Sequence, residues 1–241
     1  MKDVSVVTIT YNEKENINRL IEDIQILFKK KRLKGEIVIV DDSSPDGTGN
    51  VIKEKQRKYD NINLIEREGK QGIASAYRKG VEKSKGDVII TMDADFSHPP
   101  SKIMDLYSAA KNNILALGSR YVEGSKFEIN LSHFIGTKLL NSWISFILKT
   151  KVKDHTNGFL GVKKEILTKI CDYGDEKGNH PFDIILYGIP IVAFSRKLNI
   201  PVKEIVAPYV KRSYGESKIS MIKGLKIVLG DILYAVKLSR L

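Results

Sequence analysis

Asp93 and Asp95 stand two residues apart at the end of the apolar run VIITM. Side chains at i and i+2 of an extended segment point to the same side. Two carboxylates so placed can approach one divalent ion, because hard cations such as Mg²⁺ prefer oxygen ligands and are often completed by phosphate oxygens. Such an ion neutralises a diphosphate leaving group. An Asp-x-Asp pair alone is a weak signal. Here it follows a β-branched run, and two similar runs also end in polar clusters: VSVVTIT in Tyr11-Asn12-Glu13, and EIVIV in Asp41-Asp42. Asp42 can accept from the N–H groups of a base, Tyr11 can stack on one, and Glu13 can hold the base or a ribose hydroxyl.

Cations complete the set. Lys70, in the loop Gly69-Lys70-Gln71-Gly72 ahead of a helix, can offer its ammonium and nearby backbone N–H groups to phosphate. The loop lacks P-loop spacing and a full G-x-G-x-x-G. Arg120 follows the fifth strand, and Arg212 and Lys218 flank a glycine in VKRSYGESK. Arginine suits bidentate phosphate contact and lysine a mobile point charge. His133 and His155 belong to no metal-spaced cluster, and Cys171 is expected to be a core thiol.

These residues need a scaffold. Residues 4–10, 36–42, 62–68, 87–95 and 114–121 have the composition of buried strands. Helical spacing lies between them, as at Ile17, Leu20, Ile21 and Ile24. The rhythm predicts an α/β fold with a mainly parallel central sheet and helices on both faces. Ligands bind beyond the carboxyl ends of such strands, where the acidic clusters fall. After residue 122 the pattern changes. LSHFIGTKLLNSWISFILK is long and apolar, residues 151–165 carry turn chemistry and lead into a helix to about Tyr173, 181–187 continue as helix, and IVAFSRK and KEIVAPYV are expected strands. The tail has lysines on one helical face and apolar residues on the other. The expected division is a catalytic domain over 1–218 and an amphipathic helix over 219–241.

The 241 residues carry 40 Lys and Arg against 29 Asp and Glu, a net charge of +11. That suits phosphorylated substrates or an anionic membrane face. A nucleic-acid module is disfavoured, since no such motif and no basic stripe interleaved with aromatics occurs. One cysteine fits a reducing compartment. The N-terminus does not resemble a signal peptide, and no stretch reaches the length of a membrane span. The expected location is cytoplasmic, peripheral on a membrane face.

TYNE, VDDSSPDGT, GKQGIASAY, MDADFSHPP, GSRYVEG, DHTNGF and RSYGESK occur in this order. Together they resemble the inverting polyprenyl-phosphate glycosyltransferases of glycosyltransferase family 2, over roughly residues 4–218. The resemblance implies a GT-A fold, a nucleotide-diphosphate sugar donor, a polyprenyl or dolichyl phosphate acceptor, and Mg²⁺ or Mn²⁺. It assigns Tyr11, Glu13, Val40 and Asp42 to the nucleoside, with Ile9 beside them where the family usually has proline. Asp93, Ala94 and Asp95 match the diphosphate and metal positions. Arg120, Arg212 and Lys218 match the residues that hold donor and acceptor phosphates. Ser97 stands where a metal-binding Gln is common, and His133 where many relatives place an Arg before an interfacial helix. Thr156-Asn157-Gly158-Phe159-Leu160 replaces the usual Thr-Ser-Gly-Phe-Arg.

The expected activity is metal-dependent transfer of a sugar, foremost mannose from GDP-mannose, to the lipid phosphate with inversion. Asp95, Arg120 and Arg212 are the catalytic candidates. Alternatives are a glucosyl or N-acetylhexosaminyl transfer from a UDP-sugar to the same lipid or a polysaccharide, and a sugar-nucleotide-binding regulator. The tail also admits a small membrane subunit as partner.

Overall fold

The computed structural model describes residues 2–125, 131–208, 230 and 232–241, the side chains of 131–133 excepted. In chain order these form β1 (Lys2–Thr10), α1 (Lys14–Lys31), β2 (Gly35–Asp41), α2 (Thr48–Lys58), β3 (Ile62–Glu66), α3 (Ile73–Lys83), β4 (Gly86–Thr91), α4 (Ile103–Ala110) and β5 (Leu115–Ser119). Then come α5 (Leu131–Leu148), β6 (Leu160–Lys163), α6 (Lys164–Glu176), α7 (Gly188–Lys197) and β7 (Val202–Val206). Residues 232–239 are helical.

The strands lie in the order β3-β2-β1-β4-β6-β5-β7, parallel throughout except β6, which runs antiparallel to both neighbours. The sheet is fully buried at its centre, and each face carries its own core. α1, α2 and α4 cover one face, with Ile17, Leu20, Ile21, Ile24, Phe28, Ile52 and Leu106 buried. On α1 these positions follow the i, i+3, i+4, i+7 spacing of an amphipathic helix. α3, α5, α6 and α7 cover the other face. α3 comes unusually close to the sheet because Gly80 has no side chain: a Cβ there would sit 2.5 Å from Val7 Cγ1. The 232–239 segment adds to this second core through Ala235 and Leu238 and leaves Leu233 exposed.

The strand order reverses between β1 and β4, since β2 and β3 extend the sheet one way and β6, β5 and β7 the other. Open α/β sheets bind ligands outside the strand ends at such a switch point.

Several elements differ from sequence expectation. IVAFSRK belongs to helix α7, whose residues 188–195 are all buried. Burial on every side removes the helical period and leaves a β-branched run that looks like a strand. Residues 181–187 hold only a short 3₁₀ turn at Pro181–Asp183. β6, four residues long, was hidden in the turn chemistry before α6. β4 stops at Thr91, two residues short of Asp93. Met92 still donates to the Val7 carbonyl at 3.0 Å, and the chain then turns through Phe96 at φ +67°. Asp93 and Asp95 therefore sit in a loop, and the same-face argument for a strand pair does not apply to them.

Candidate active site

The loops after β1 and β2 are bolted together. Asp41 ends β2, and its Oδ1 accepts from the hydroxyls of Thr10 and Ser44, both at 2.6 Å. Asn12 N–H donates to Ser44 Oγ and Glu13 N–H to Thr48 Oγ1, each at 3.0 Å. Asp46 accepts from the Thr48 N–H, the Thr48 hydroxyl and the Lys14 N–H. Burial pushes its carboxyl up, but these bonds outweigh that and hold it below the usual carboxylate range. Asp41 and Asp46 thus hold the loops in place, while Asp42 lines the cleft. Asn12, Ser43 and Phe96 have φ of +56°, +51° and +67°. Each of the three site loops holds one non-glycine residue in left-handed backbone, a costly conformation that clusters at functional sites.

A residue that sequence reasoning passed over secures Asp42. Arg67, just beyond β3, is buried and donates through Nε to Asp42 Oδ1 at 2.6 Å. It also donates to Ser75 Oγ at 2.8 Å and the Gly72 carbonyl at 3.0 Å. One guanidinium therefore ties the Asp42 loop to the loop carrying Lys70. Lys70 in turn sits with its ammonium 3.6 Å from the centre of the Tyr11 ring, a cation–π contact. Tyr11 is a cleft residue and not core.

Asp93 is held from below. Tyr77, 1% exposed on α3, donates its hydroxyl to Asp93 Oδ1 at 2.7 Å. Asp93 N–H donates to His98 Nδ1 at 2.9 Å, and the His98 ring stacks on Phe159 at 5.0 Å. Burial, with the Asp93 carboxylate nearby, pushes the Tyr77 and Tyr187 phenols well above their usual range. Both are therefore protonated at neutral pH. Asp95 is buried and accepts the Ser97 N–H at 3.0 Å, so Ser97 supports Asp95 through its backbone.

A cleft of ≈ 170 Å³ opens here, lined by Ile9, Thr10, Tyr11, Glu13, Asp42, Ile73, Ala76, Asp93, Ala94 and Asp95. It gathers seven expected donor residues, Asp42 among them, from the end of β1 and the loops after β1, β2 and β4. Val40 is fully buried on β2, paired between Ile9 of β1 and Ile65 of β3, and does not line the cleft. Arg120 lies further along the sheet, after β5. It makes a bidentate pair with the buried Asp154, at 2.8 and 2.7 Å, and donates to Thr156 Oγ1 at 2.6 Å. Asn141 of α5 reaches the same Thr156 hydroxyl at 3.2 Å and accepts the His155 N–H at 2.7 Å. Arg120 is thus linked to α5. Arg212 and Lys218 lie outside the described residues, as does the His133 side chain.

Two carboxylates form the candidate metal set. Among the described residues no cluster of three His, Cys, Asp or Glu occurs. The Asp93 side chain is 44% exposed and Asp95 is buried at the cleft. Two hard oxygen donors with open positions suit a Mg²⁺-type ion that is completed by phosphate and water.

The sheet order, with an acidic cleft at the switch point, defines the GT-A architecture of nucleotide-sugar-dependent transferases. Residues 5–171 match the model for glycosyl transferase family 2, and the chain belongs to that family. It is 34% identical over 223 residues to the dolichol-phosphate mannosyltransferase of Pyrococcus furiosus, a match that covers 90% of this chain and 59% of that one. The chain thus spans about three-fifths of that relative's length. It is 27% identical to the dolichol-phosphate mannosyltransferase of Saccharomyces cerevisiae, over 90% of this chain and 81% of that one. It is 30% identical to the polyprenol monophosphomannose synthase of Mycolicibacterium smegmatis, over 89% and 80%. In fold it is similar to glucosyl-3-phosphoglycerate synthase from Mycobacterium tuberculosis, solved with Mn²⁺ and UDP. The TM-score is 0.67 at 14% identity, covering 99% of this chain and 80% of that one.

Proposed function

We propose that the protein transfers mannose from GDP-mannose to a polyprenyl phosphate, with inversion at the sugar carbon. The observation that carries this reading is the single cleft that places Tyr11 and Asp42 beside Asp93 and Asp95. One end has groups for a base, the other has groups for a cation-bound diphosphate. The names of the curated relatives support the mannosyl donor and the lipid phosphate.

Tyr11 stacks on the base once Lys70 leaves its ring, and Lys70 turns to the diphosphate. Asp42, held by Arg67, accepts from base N–H groups. Asp93 and Asp95 would hold a divalent cation, which when bound would offset charge on the departing diphosphate. The acceptor phosphate is an anion at neutral pH and needs no general base. Its oxygen forms the new bond to the anomeric carbon. The carbon–oxygen bond to the diphosphate breaks opposite it, and the electron pair leaves with GDP. The protein's task is to bring two anions together, which is work of positioning and electrostatics. Arg120, Arg212 and Lys218 are assigned to the phosphates.

Attachment to a membrane face belongs to the same reading. α5 exposes Ile135 (48%), Leu139 (58%), Trp143 (62%) and Phe146 (78%) along one side. Lys138, Lys149, Lys151 and Lys153 rim the hollows beside it. An apolar helix face bordered by lysines suits a helix lying in an anionic interface. Among the described residues no helix is long and apolar enough to cross a membrane.

The test is transfer from a panel of labelled GDP- and UDP-sugars to polyprenyl phosphate in detergent. Mannolipid from GDP-mannose is expected. Lipid product from a UDP-sugar alone would replace the donor, and no lipid product from any donor would remove the acceptor.

A further inference from the structure

We propose that Tyr77 is a positioning residue that aims the Asp93 carboxylate at the cation site, an inference that rests on the metal-binding reading of Asp93 and Asp95. Packing alone does not account for a tyrosine here. The ring is 1% exposed, and phenylalanine would fill the same space without a hydroxyl to satisfy. The hydroxyl instead reaches out of the core to a carboxylate that is 44% exposed. Asp93 is anchored twice: Tyr77 takes Oδ1, and the Asp93 N–H is fixed on His98 Nδ1. That nitrogen accepts a hydrogen bond, so it cannot also donate to the carboxylate. Oδ2 lies 3.8 Å from it. Side-chain aim therefore falls to Tyr77.

The support beneath is rigid. Tyr187 packs its ring 5.0 Å from that of Tyr77. Its hydroxyl donates to the Gly158 carbonyl at 2.8 Å, and Thr91 Oγ1 donates to the same carbonyl at 2.7 Å. Residue 158 must be glycine for this, since a Cβ would stand 2.7 Å from the Tyr187 hydroxyl. The neighbouring Phe159 stacks on His98. The segment Gly158-Phe159 thus braces the Asp93 loop directly through the Phe159–His98 stack and indirectly through Tyr187, which packs on Tyr77. Groups that orient a metal ligand from behind commonly alter metal affinity by 10- to 100-fold when removed.

The experiment is Mn²⁺ titration followed by electron paramagnetic resonance on the full chain, with GDP affinity measured separately in EDTA. The proteins are wild type, Tyr77→Phe, Tyr187→Phe and Asp95→Ala, each with a thermal melt. Tyr77→Phe is expected to weaken Mn²⁺ binding by about 10- to 100-fold, with GDP affinity in EDTA and the melting temperature close to wild type. Tyr187→Phe, whose hydroxyl meets the Gly158 carbonyl and the Thr91 and Tyr77 hydroxyls but not the carboxylate, is expected to bind Mn²⁺ within about threefold of wild type. A Tyr77→Phe variant that binds Mn²⁺ like wild type overturns the proposal. Equal losses of Mn²⁺ and GDP affinity mark a general structural role and also overturn it. Wild type and Asp95→Ala binding Mn²⁺ alike would instead remove the metal-site reading beneath it.

Discussion

Replacing Arg67 by Met removes one half of a buried ion pair. The Arg67 side chain is 7% exposed and that of Asp42 12%. Asp42 would remain charged with no guanidinium to meet it. Removing one partner of a buried pair costs roughly 3–5 kcal/mol, because an uncompensated charge is left behind. Arg67 also gives up its bonds to Ser75 and the Gly72 carbonyl, which places the loss toward the upper end. Urea slopes run about 1–3 kcal/mol per molar and grow with chain size. A loss of about 4 kcal/mol therefore moves the unfolding midpoint down by more than about 1 M. Adding Asp42→Asn neutralises the stranded charge. The double variant should then be about 2 kcal/mol more stable than the two single effects predict, a coupling typical of residues in contact. Urea unfolding of the four proteins at pH 7 measures the cycle. GDP affinity should fall in Arg67→Met, since the loop with Lys70 loses its tie to Asp42. A cost below about 1 kcal/mol, or single effects that simply add, would refute the pairing.

Two other outcomes follow from particular side chains. Trp143→Ser with Phe146→Ser should reduce binding to anionic vesicles by at least about tenfold, given roughly 1.5–3 kcal/mol for burying one such side chain fully, and leave urea stability unchanged; retained vesicle binding in a co-sedimentation assay would contradict the α5 docking face. His155 is fully buried, and burial lowers its pKa to about 4 from an ordinary 6.5, with Asp154 opposing in part. Its folded value lies below its unfolded value, so its contribution is complete above about pH 6.5 and is lost as pH falls toward 4; the total is about 3 kcal/mol. Urea midpoints measured across that window should fall more steeply for wild type than for His155→Gln, and parallel curves would refute it.

The strand ends announced much of the site. Runs such as VSVVTIT and EIVIV are apolar throughout, as strands buried on both faces must be, so the polar residues that follow them stood out. Tyr11, Glu13, Asp42, Asp93 and Asp95 were legible for that reason, and they do meet in one cleft. Their supports were not legible. Tyr77 occupies a core position of α3, where its ring satisfies the apolar pattern and its hydroxyl leaves no trace. Arg67 sits among the charges of INLIEREGK and looks like solvated surface, yet it is buried. Asp154 lies 34 residues from its partner Arg120, a separation no local pattern encodes. α7 was misread because burial on all sides erases the period that separates helix from strand, and β6 was missed because its four residues lie within a stretch of turn chemistry.

The most direct test of the central claim is lipid-linked sugar formation from GDP-mannose and polyprenyl phosphate, run with Mg²⁺ or with EDTA, for wild type and Asp95→Ala. Mannolipid that requires the metal and is lost in the variant is the predicted result. Mannolipid formed equally in EDTA and by Asp95→Ala would contradict the assignment of this cleft.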